Sequence, residues 1–198
     1  MIDIAGVGPA IDAAATLPYH ELHGFIPEPQ ESHHLFGAAF LVIGVLLIVE
    51  VLAGRVWHRN RLRTIMWPAA VMFLGVGMIG VTAADPDDRP IHFTIGLLML
   101  AAGWFEYRHR IGEIPRRTAD LLIIPALLAG GLEIGVFHFH GNFTGDNSGA
   151  VHALMGITAG SMVLVRVYQS RLLISAPRHA LMGVMVMALA FELMGLSH

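Results

Sequence analysis

The sequence contains no cysteine and no lysine. Without cysteine, the chain cannot form disulfides, thiolate nucleophiles, iron–sulfur clusters or cysteine-ligated zinc sites. Without lysine, it cannot use a Schiff base or bind phosphate through the lysine of a P-loop. The sequence also lacks a nucleophile elbow and the helix motif of zinc proteases. These absences exclude several large classes of soluble enzyme.

Charged residues are scarce as well. Only 14% of the 198 residues are charged, whereas 55% are hydrophobic. A soluble domain has about 25% charged residues, so this composition indicates that the lipid bilayer is the main partner. The net charge of -3 and the isoelectric point near 6.4 lack the basic character of a nucleic-acid-binding protein. Nucleic acid is therefore excluded as a partner.

Six apolar runs follow one another along the chain, and a membrane-spanning helix needs about 17–25 apolar residues. We therefore predict an all-α polytopic membrane protein with six transmembrane helices in residues 34–198, arranged as three tandem hairpins. Residues 1–33 are predicted to form an extracytoplasmic arm of the mature protein, because no Lys or Arg precedes the apolar patches there. The predicted spans are 35–54, 65–84, 91–105, 121–137, 150–165 and 180–196.

The arginines predict the orientation of these spans. Eleven of the 12 arginines fall in three alternate gaps, and only Arg89 lies elsewhere. Cytoplasmic loops carry an excess of arginine, so both termini and the loops 85–90 and 138–149 are predicted to face outward. The expected location is the bacterial plasma membrane, with the outer side toward the periplasm or exterior. The arginines of the three gaps are Arg55, Arg59, Arg61 and Arg63; Arg108, Arg110, Arg116 and Arg117; and Arg166, Arg171 and Arg178.

The histidines have the opposite distribution. On this map, nine of the 12 histidines fall on the outer side and three on the inner side. The inner histidines are His58, His109 and His179. The outer ones are His20, His23, His33, His34, His92, His138, His140, His152 and His198.

A repeat is present in the spacing of three outer histidines. His34, His92 and His152 each begin a predicted outside-to-inside helix, 58 and then 60 residues apart. A glycine follows each of them, in "HLFG", "HFTIG" and "HALMG", and each helix closes on a charged residue. If the hairpins pack around one axis, as repeats in membrane proteins often do, the three imidazoles converge at one depth. The closing residues are Glu50, Glu106 and Arg166.

Two carboxylates, Glu133 and Glu192, lie more than a turn inside predicted spans. A charged side chain raises the free energy of inserting a helix into the bilayer, so its presence there indicates a function. Glu133 precedes His140 by seven residues and shares a helix face with it if the helix continues. Imidazole is a suitable ligand for copper, zinc, iron and nickel. Met99 lies on the same helix face as His92, and Met155 lies on the same helix face as His152. A thioether beside an imidazole favours Cu(I). We therefore predict an outward-facing site for a copper ion. The predicted ligands are His34, His92, Glu133, His138, His140, His152 and Glu192.

The same residues also have simpler interpretations. Histidines at an interface often serve as polar anchors, and methionines in apolar helices are more often packing residues than ligands. Glu50 and Glu106 lie beside the inner arginines, so we expect them to be ion-paired at the interface.

The last third of the chain carries a faint resemblance to a known family. The stretch "FHFH", a short loop and then "HALMG" on the next helix resemble multi-pass bacterial copper-resistance membrane proteins of the D type. The resemblance implies copper handling on the outer side, with His138, His140 and His152 as the matching positions.

Four functions follow as alternatives. The first is binding of a transition metal, with copper favoured, for uptake, relay or resistance. The second is electron transfer through haem b, since histidines on neighbouring helices can ligate its iron. The third is a non-catalytic subunit of a larger membrane complex or a homo-oligomer, which small helix-packing glycines favour. The fourth is an enzyme in which an outer metal and Glu133 as general base activate water or oxygen.

Overall fold

The computed structural model describes residues 29–81, 89–137, 148–171 and 176–195. These residues form seven α-helices and one π-helix, and no strand occurs among them. The chain is all-α, as predicted. The α-helices are α1 (Pro29–Ala53), α2 (Arg55–His58), α3 (Arg61–Val81), α4 (Arg89–Arg110), α5 (Arg116–Leu132), α6 (Ser148–Arg171) and α7 (Ala176–Gly195), and the π-helix Glu133–Phe137 directly continues α5.

Local chemistry accounts for several helix ends. Gly54 separates α1 from α2 and has a φ of 53°, in the left-handed region that favours glycine. Asn60 caps α3, because its side-chain oxygen accepts hydrogen bonds from the backbone N–H groups of Leu62 and Arg63 at 2.9 and 3.4 Å. Gly112, with a φ of 85°, lies in the short connection between α4 and α5. The last five residues of the predicted N-terminal arm, 29–33, belong to α1.

Among the described residues, four helices are long and apolar enough to cross a membrane. They correspond to the first, second, fourth and fifth predicted spans. The sixth predicted span lies in α7, whose apolar part is shorter, and the third lies in α4, which is not among the four. The four candidate spans are Glu31–Ala53, Arg61–Val81, Arg116–Gly135 and Val151–Gln169.

The outer surface of these helices is apolar. Large hydrophobic side chains such as Phe73, Leu121 and Leu164 are more than two-thirds exposed. A soluble monomer rarely exposes apolar surface so extensively, whereas a lipid bilayer solvates such side chains. The exposed surface therefore agrees with a multi-pass membrane protein.

The six long helices pack as a closed ring. The most extensive contacts join α1 to α7, α3 to α4 and α5 to α6. Smaller contacts between α4 and α5, α6 and α7, and α1 and α3 complete the ring. If the chain is divided into the predicted hairpins α1–α3, α4–α5 and α6–α7, the most extensive contacts lie between hairpins rather than within them.

The glycines of the sequence repeat lie in these three contacts. A Cβ atom added at Gly96 would lie 2.8 Å from the carbonyl oxygen of Gly75, and one added at Gly156 would lie 2.6 Å from the Cα of Gly135. A Cβ atom at Gly37 would similarly lie 2.9 Å from a backbone carbonyl of α7. Small residues allow helix backbones to approach in membrane proteins. The repeat thus corresponds to three equivalent close helix contacts.

Candidate functional site

A cavity of about 770 Å³ lies inside the ring and is lined by all six long helices. Apolar side chains such as Phe40, Leu98 and Leu189 line most of it. At one end, where α1, α4 and α6 finish and α3 and α5 begin, the lining becomes charged. We call this part the charged end. The cavity is therefore amphipathic along its length.

Glu106 is the central residue of the charged end. Its side chain is only 1% exposed, and it forms salt bridges with three arginines. Arg110 lies one turn further along the same helix and donates to Glu106 Oε1 at 2.9 Å. Arg116 of α5 donates to the same oxygen at 3.2 Å, and Arg166 of α6 donates to Oε2. One carboxylate thus joins three helices.

Two further carboxylates balance these arginines. Arg166 Nε donates to Asp120 Oδ1 at 2.9 Å, and Arg116 Nε lies 3.2 Å from the same oxygen. Arg110 Nη1 donates to Glu50 Oε1 of α1 at 2.8 Å. We call the six residues the charged cluster. Its members are Glu50, Glu106, Arg110, Arg116, Asp120 and Arg166.

Pro68 extends the charged cluster to a fifth helix. It lies inside α3 and has no backbone N–H, so the carbonyl of Thr64 loses its intrahelical donor. Arg110 Nη1 donates to this carbonyl at 3.0 Å. Trp67 also contacts the cluster: its Nε1 donates to Glu50 Oε2 at 2.9 Å, and its ring lies 4.7 Å from the Arg110 guanidinium. The proline therefore provides a backbone acceptor for a buried cation.

Burial of six charged groups requires this pairing. An unpaired charge in a low-dielectric environment costs several kcal/mol, whereas paired and hydrogen-bonded charges are tolerated. In the charged cluster, three arginines face three carboxylates. The expected ion pairing of Glu50 and Glu106 is confirmed, and both side chains are buried.

Three other basic residues line the cavity beside the cluster. His58 Nε2 lies 3.6 Å from Glu50 Oε1, and His109 Nδ1 lies 3.2 Å from the carbonyl oxygen of Ile114. Arg55 is exposed and forms no ion pair or hydrogen bond within the part of the chain that the structure describes. Its guanidinium is therefore the cation with the most available donors at the charged end.

The predicted metal ligands that belong to the described residues lie toward the opposite ends of the long helices. His34 is exposed near the start of α1, whereas His92 and His152 are half-buried near the starts of α4 and α6. Glu133 is half-buried at the first position of the π-helix. His138 and His140 lie outside the described residues.

Glu192 is in contact with the neighbouring helix. Thr158, which is buried, donates its hydroxyl to Glu192 Oε1 at 2.7 Å. The second oxygen, Oε2, is buried and has no hydrogen-bond partner among the described residues. Of the two methionines considered as ligands, Met155 is buried in the hydrophobic core and Met99 lines the cavity.

Among the described residues, no group of three or more His, Asp or Glu side chains lies close enough to hold a metal ion. Any three-ligand site drawn from the predicted set therefore requires His138 or His140. The copper site stays a prediction.

The charged cluster was not predicted as a site, although the sequence contains signals for it. The repeat identifies Glu50, Glu106 and Arg166 as equivalent closing residues. In the structure these closing residues meet: Arg166 contacts Glu106 directly, and Arg110 links Glu106 to Glu50. Asp120 lies four residues after Arg116, a spacing that permits an ion pair on one helix face. The sequence predicts convergence of the three imidazoles at the starts of these helices, whereas the described contacts between the closing residues lie at the other ends.

Comparison with family models, with curated proteins and with solved structures finds no match to this chain. The fold and the site define an all-helical, multi-pass membrane-type protein with an internal amphipathic cavity. The resemblance to copper-resistance proteins of the D type stays a prediction.

Proposed function

We propose that this chain is a six-span protein of the bacterial plasma membrane that binds a lipophilic small molecule inside its ring of helices. The charged end faces the cytoplasm in this proposal, because eleven of the 12 arginines lie in the three gaps assigned to that side. The shorter apolar helix α7 and the helix α4 complete the six spans beside the four apolar candidates.

The observation that supports this function is the cavity itself. Its volume of about 770 Å³ lies within the range of about 300–1,000 Å³ that is typical of small-molecule sites. Such sites combine a mostly apolar lining with a few polar groups that fix the orientation of the ligand. Apolar side chains from the middle of the helices and the polar charged end provide both features here.

Tryptophan fluorescence tests this proposal directly, because Trp67 lines the cavity. The protein is reconstituted in nanodiscs of zwitterionic phospholipid and titrated with bromododecanol, a neutral alkyl chain whose bromine quenches nearby tryptophan. We expect saturable quenching that is largely lost in Trp67→Phe. Quenching that rises linearly with the probe, without saturation, would contradict the proposal.

A matched pair of variants on α5 separates cavity binding from partition into the bilayer. Ala126 is buried and lines the cavity, whereas Ala129, on the same helix, is exposed. Ala126→Phe should abolish the saturable component by filling the cavity, and Ala129→Phe should retain it. If Ala126→Phe fails to fold, Ala102→Leu on α4 fills the same cavity with a smaller side chain.

Metal binding at the histidine-rich end is a second candidate function. It is supported by Glu192, whose buried Oε2 has no hydrogen-bond partner among the described residues. Elemental analysis of the purified protein should find about one copper per chain, and the copper should be lost in His140→Ala and His152→Ala. Chains that contain no stoichiometric transition metal would exclude this function. A Soret band in the same sample would instead indicate haem b.

A further inference from the structure

We infer that the occupant of the cavity is an amphiphile with an anionic head, a carboxylate or a phosphate, which lies at the charged end beside Arg55. This inference rests on the proposed function, because it assigns the chemistry of the ligand that the cavity binds. Three features support this ligand chemistry: the charge balance of the lining, the guanidinium of Arg55, which has no ion pair within the described residues, and the depth of the apolar part.

The charge balance at the charged end is positive. Four arginines line it, against two lining carboxylates, Glu50 and Glu106. Asp120, which pairs with Arg116 and Arg166, is a third carboxylate at this end. Four arginines and three carboxylates leave a net charge of one positive unit when His58 and His109 are counted as neutral. The four lining arginines are Arg55, Arg110, Arg116 and Arg166.

Arg55 carries the excess charge. The other three lining arginines each form at least two salt bridges, whereas Arg55 forms none within the described residues. A guanidinium presents five N–H donors and binds carboxylate or phosphate in a bidentate manner. The charged cluster itself is neutral, so it neither requires nor repels an additional anion. A ligand head that meets Arg55 therefore pairs with a cation that has no ion-pair partner among the residues that the structure describes.

The apolar part of the cavity accommodates a chain attached to that head. From Phe40 to Glu50, the lining follows ten residues of α1, or about 15 Å of helix. Over this depth, the lining from the other helices is also apolar, as at Val71, Leu98 and Val186. A free inorganic anion would occupy only the charged end and would leave the apolar part of the cavity empty. An amphiphile fills both parts, because its head binds at the charged end and its chain extends along the apolar lining.

A competition experiment tests the head preference separately from cavity binding. The nanodisc-reconstituted protein is loaded with bromododecanol, and the quenching of Trp67 is reversed by competitors of equal chain length and different heads. The competitors are dodecanoate, dodecyl phosphate, dodecanol and dodecyltrimethylammonium, with inorganic phosphate as the chainless anion. We expect both anionic amphiphiles to displace the probe at about tenfold lower concentration than dodecanol does.

Arg55→Gln should reduce the ratio between the concentrations of dodecanol and dodecanoate that displace the probe from about ten to about one. Arg59→Gln is the matched control, because Arg59 is exposed on the same connection and does not line the cavity. Equal displacement by dodecanol and dodecanoate would overturn the inference and leave the proposed function intact. Displacement by inorganic phosphate as effective as that by dodecyl phosphate would show recognition of a free anion and would also overturn it. Absence of saturable bromododecanol binding would instead contradict the proposed function.

Discussion

At the scale of single residues, the distinctive feature is a carboxylate that contacts three arginines inside a helical bundle. Glu106 is almost completely buried and joins α4 to α5 and α6 through Arg116 and Arg166. Each of these groups is tolerated only because its partners are present. Removal of one member leaves opposite charges buried without compensation, which costs more than the pair contributes.

Glu106→Gln is therefore expected to destabilise the protein strongly. Neutralisation of Glu106 leaves a net positive charge among Arg110, Arg116 and Arg166, and breaking a buried pair costs about 3–5 kcal/mol. The measurement is the thermal unfolding midpoint of the detergent-purified protein.

The matched control is Glu113→Gln in the connection after α4. Glu113 forms an ion pair with Arg108 at 2.7 Å, but its side chain is 50% exposed. Exposed pairs of this kind contribute less than about 1 kcal/mol, so the midpoint should change little. Equal midpoints for the two variants would show that burial of Glu106 has no energetic consequence.

At the scale of helices, close backbone contacts at glycine hold the ring together. Gly44 of α1 and Gly183 of α7 face each other, and a Cβ atom at either would lie 2.8 Å from the carbonyl oxygen of the other. Helices in lipid gain little from burying apolar side chains, so van der Waals packing at small residues becomes the main attraction. The three most extensive interfaces of the ring each contain such a glycine contact.

Gly44→Ala should consequently separate α1 from α7. The added methyl group would lie 2.5 Å from Met187 Cγ and also 2.8 Å from the backbone carbonyl oxygen of Gly183, so movement of the Met187 side chain alone does not relieve the collision. Overpacking of this kind costs about 1–3 kcal/mol. Gly160→Ala on α6 is the matched control, because a Cβ atom there meets nothing within 4 Å. The control should keep or raise the thermal midpoint, since alanine favours a helix by about 0.5–1 kcal/mol over glycine. A midpoint of Gly44→Ala at or above that of the control would be the contrary result.

At the scale of the whole molecule, the ring brings the last long helix, α7, against the first, α1. The cavity lies within this ring. If all six long helices cross the membrane, consecutive helices run in opposite directions, and so do α1 and α7. The start of α1 and the end of α7 then lie on one side, opposite the charged end. The contacts between closing residues of α1, α4 and α6 agree with this arrangement, because these three helices finish at the same end.

The absence of native cysteine makes the membrane orientation directly measurable. Single cysteines are introduced as Glu113→Cys in the connection between α4 and α5 and as Ser197→Cys near the C-terminus. In intact cells, a membrane-impermeant maleimide should label Ser197→Cys, and it should label Glu113→Cys only after permeabilisation. The cysteine-free parent chain is the background control. Labelling of Glu113→Cys in intact cells would show that the charged end faces outward.

Much of the secondary structure was predictable from composition and hydropathy, because the length of an apolar run is a local property. The predicted span 65–84 overlaps α3, and the predicted span 150–165 lies entirely within α6. The π-helix Glu133–Phe137 was not predicted, since the predicted span 121–137 gives no sign of a change in helix period there. The helical positions 29–33 were assigned to an arm because prolines and polar residues dilute the hydropathy signal.

The candidate site was predictable only in part. The spacing of His34, His92 and His152 predicts three equivalent helices, and the glycines that follow these histidines lie at close helix contacts in the structure. The pairing of Asp120 with Arg166 was not predictable, because 46 residues separate them and no local pattern relates their positions.

By itself, the sequence determined that the chain is helical and apolar on its outside, since both properties follow from composition and from the lengths of the apolar runs. Only the tertiary structure decided which helix ends meet. Ring closure brings together the finishing ends of α1, α4 and α6, because three arginines and three carboxylates are stable in a low-dielectric interior only when all of them find partners. The same packing leaves a cavity between the helices, and the volume of that cavity depends on contacts between residues that are distant in the chain.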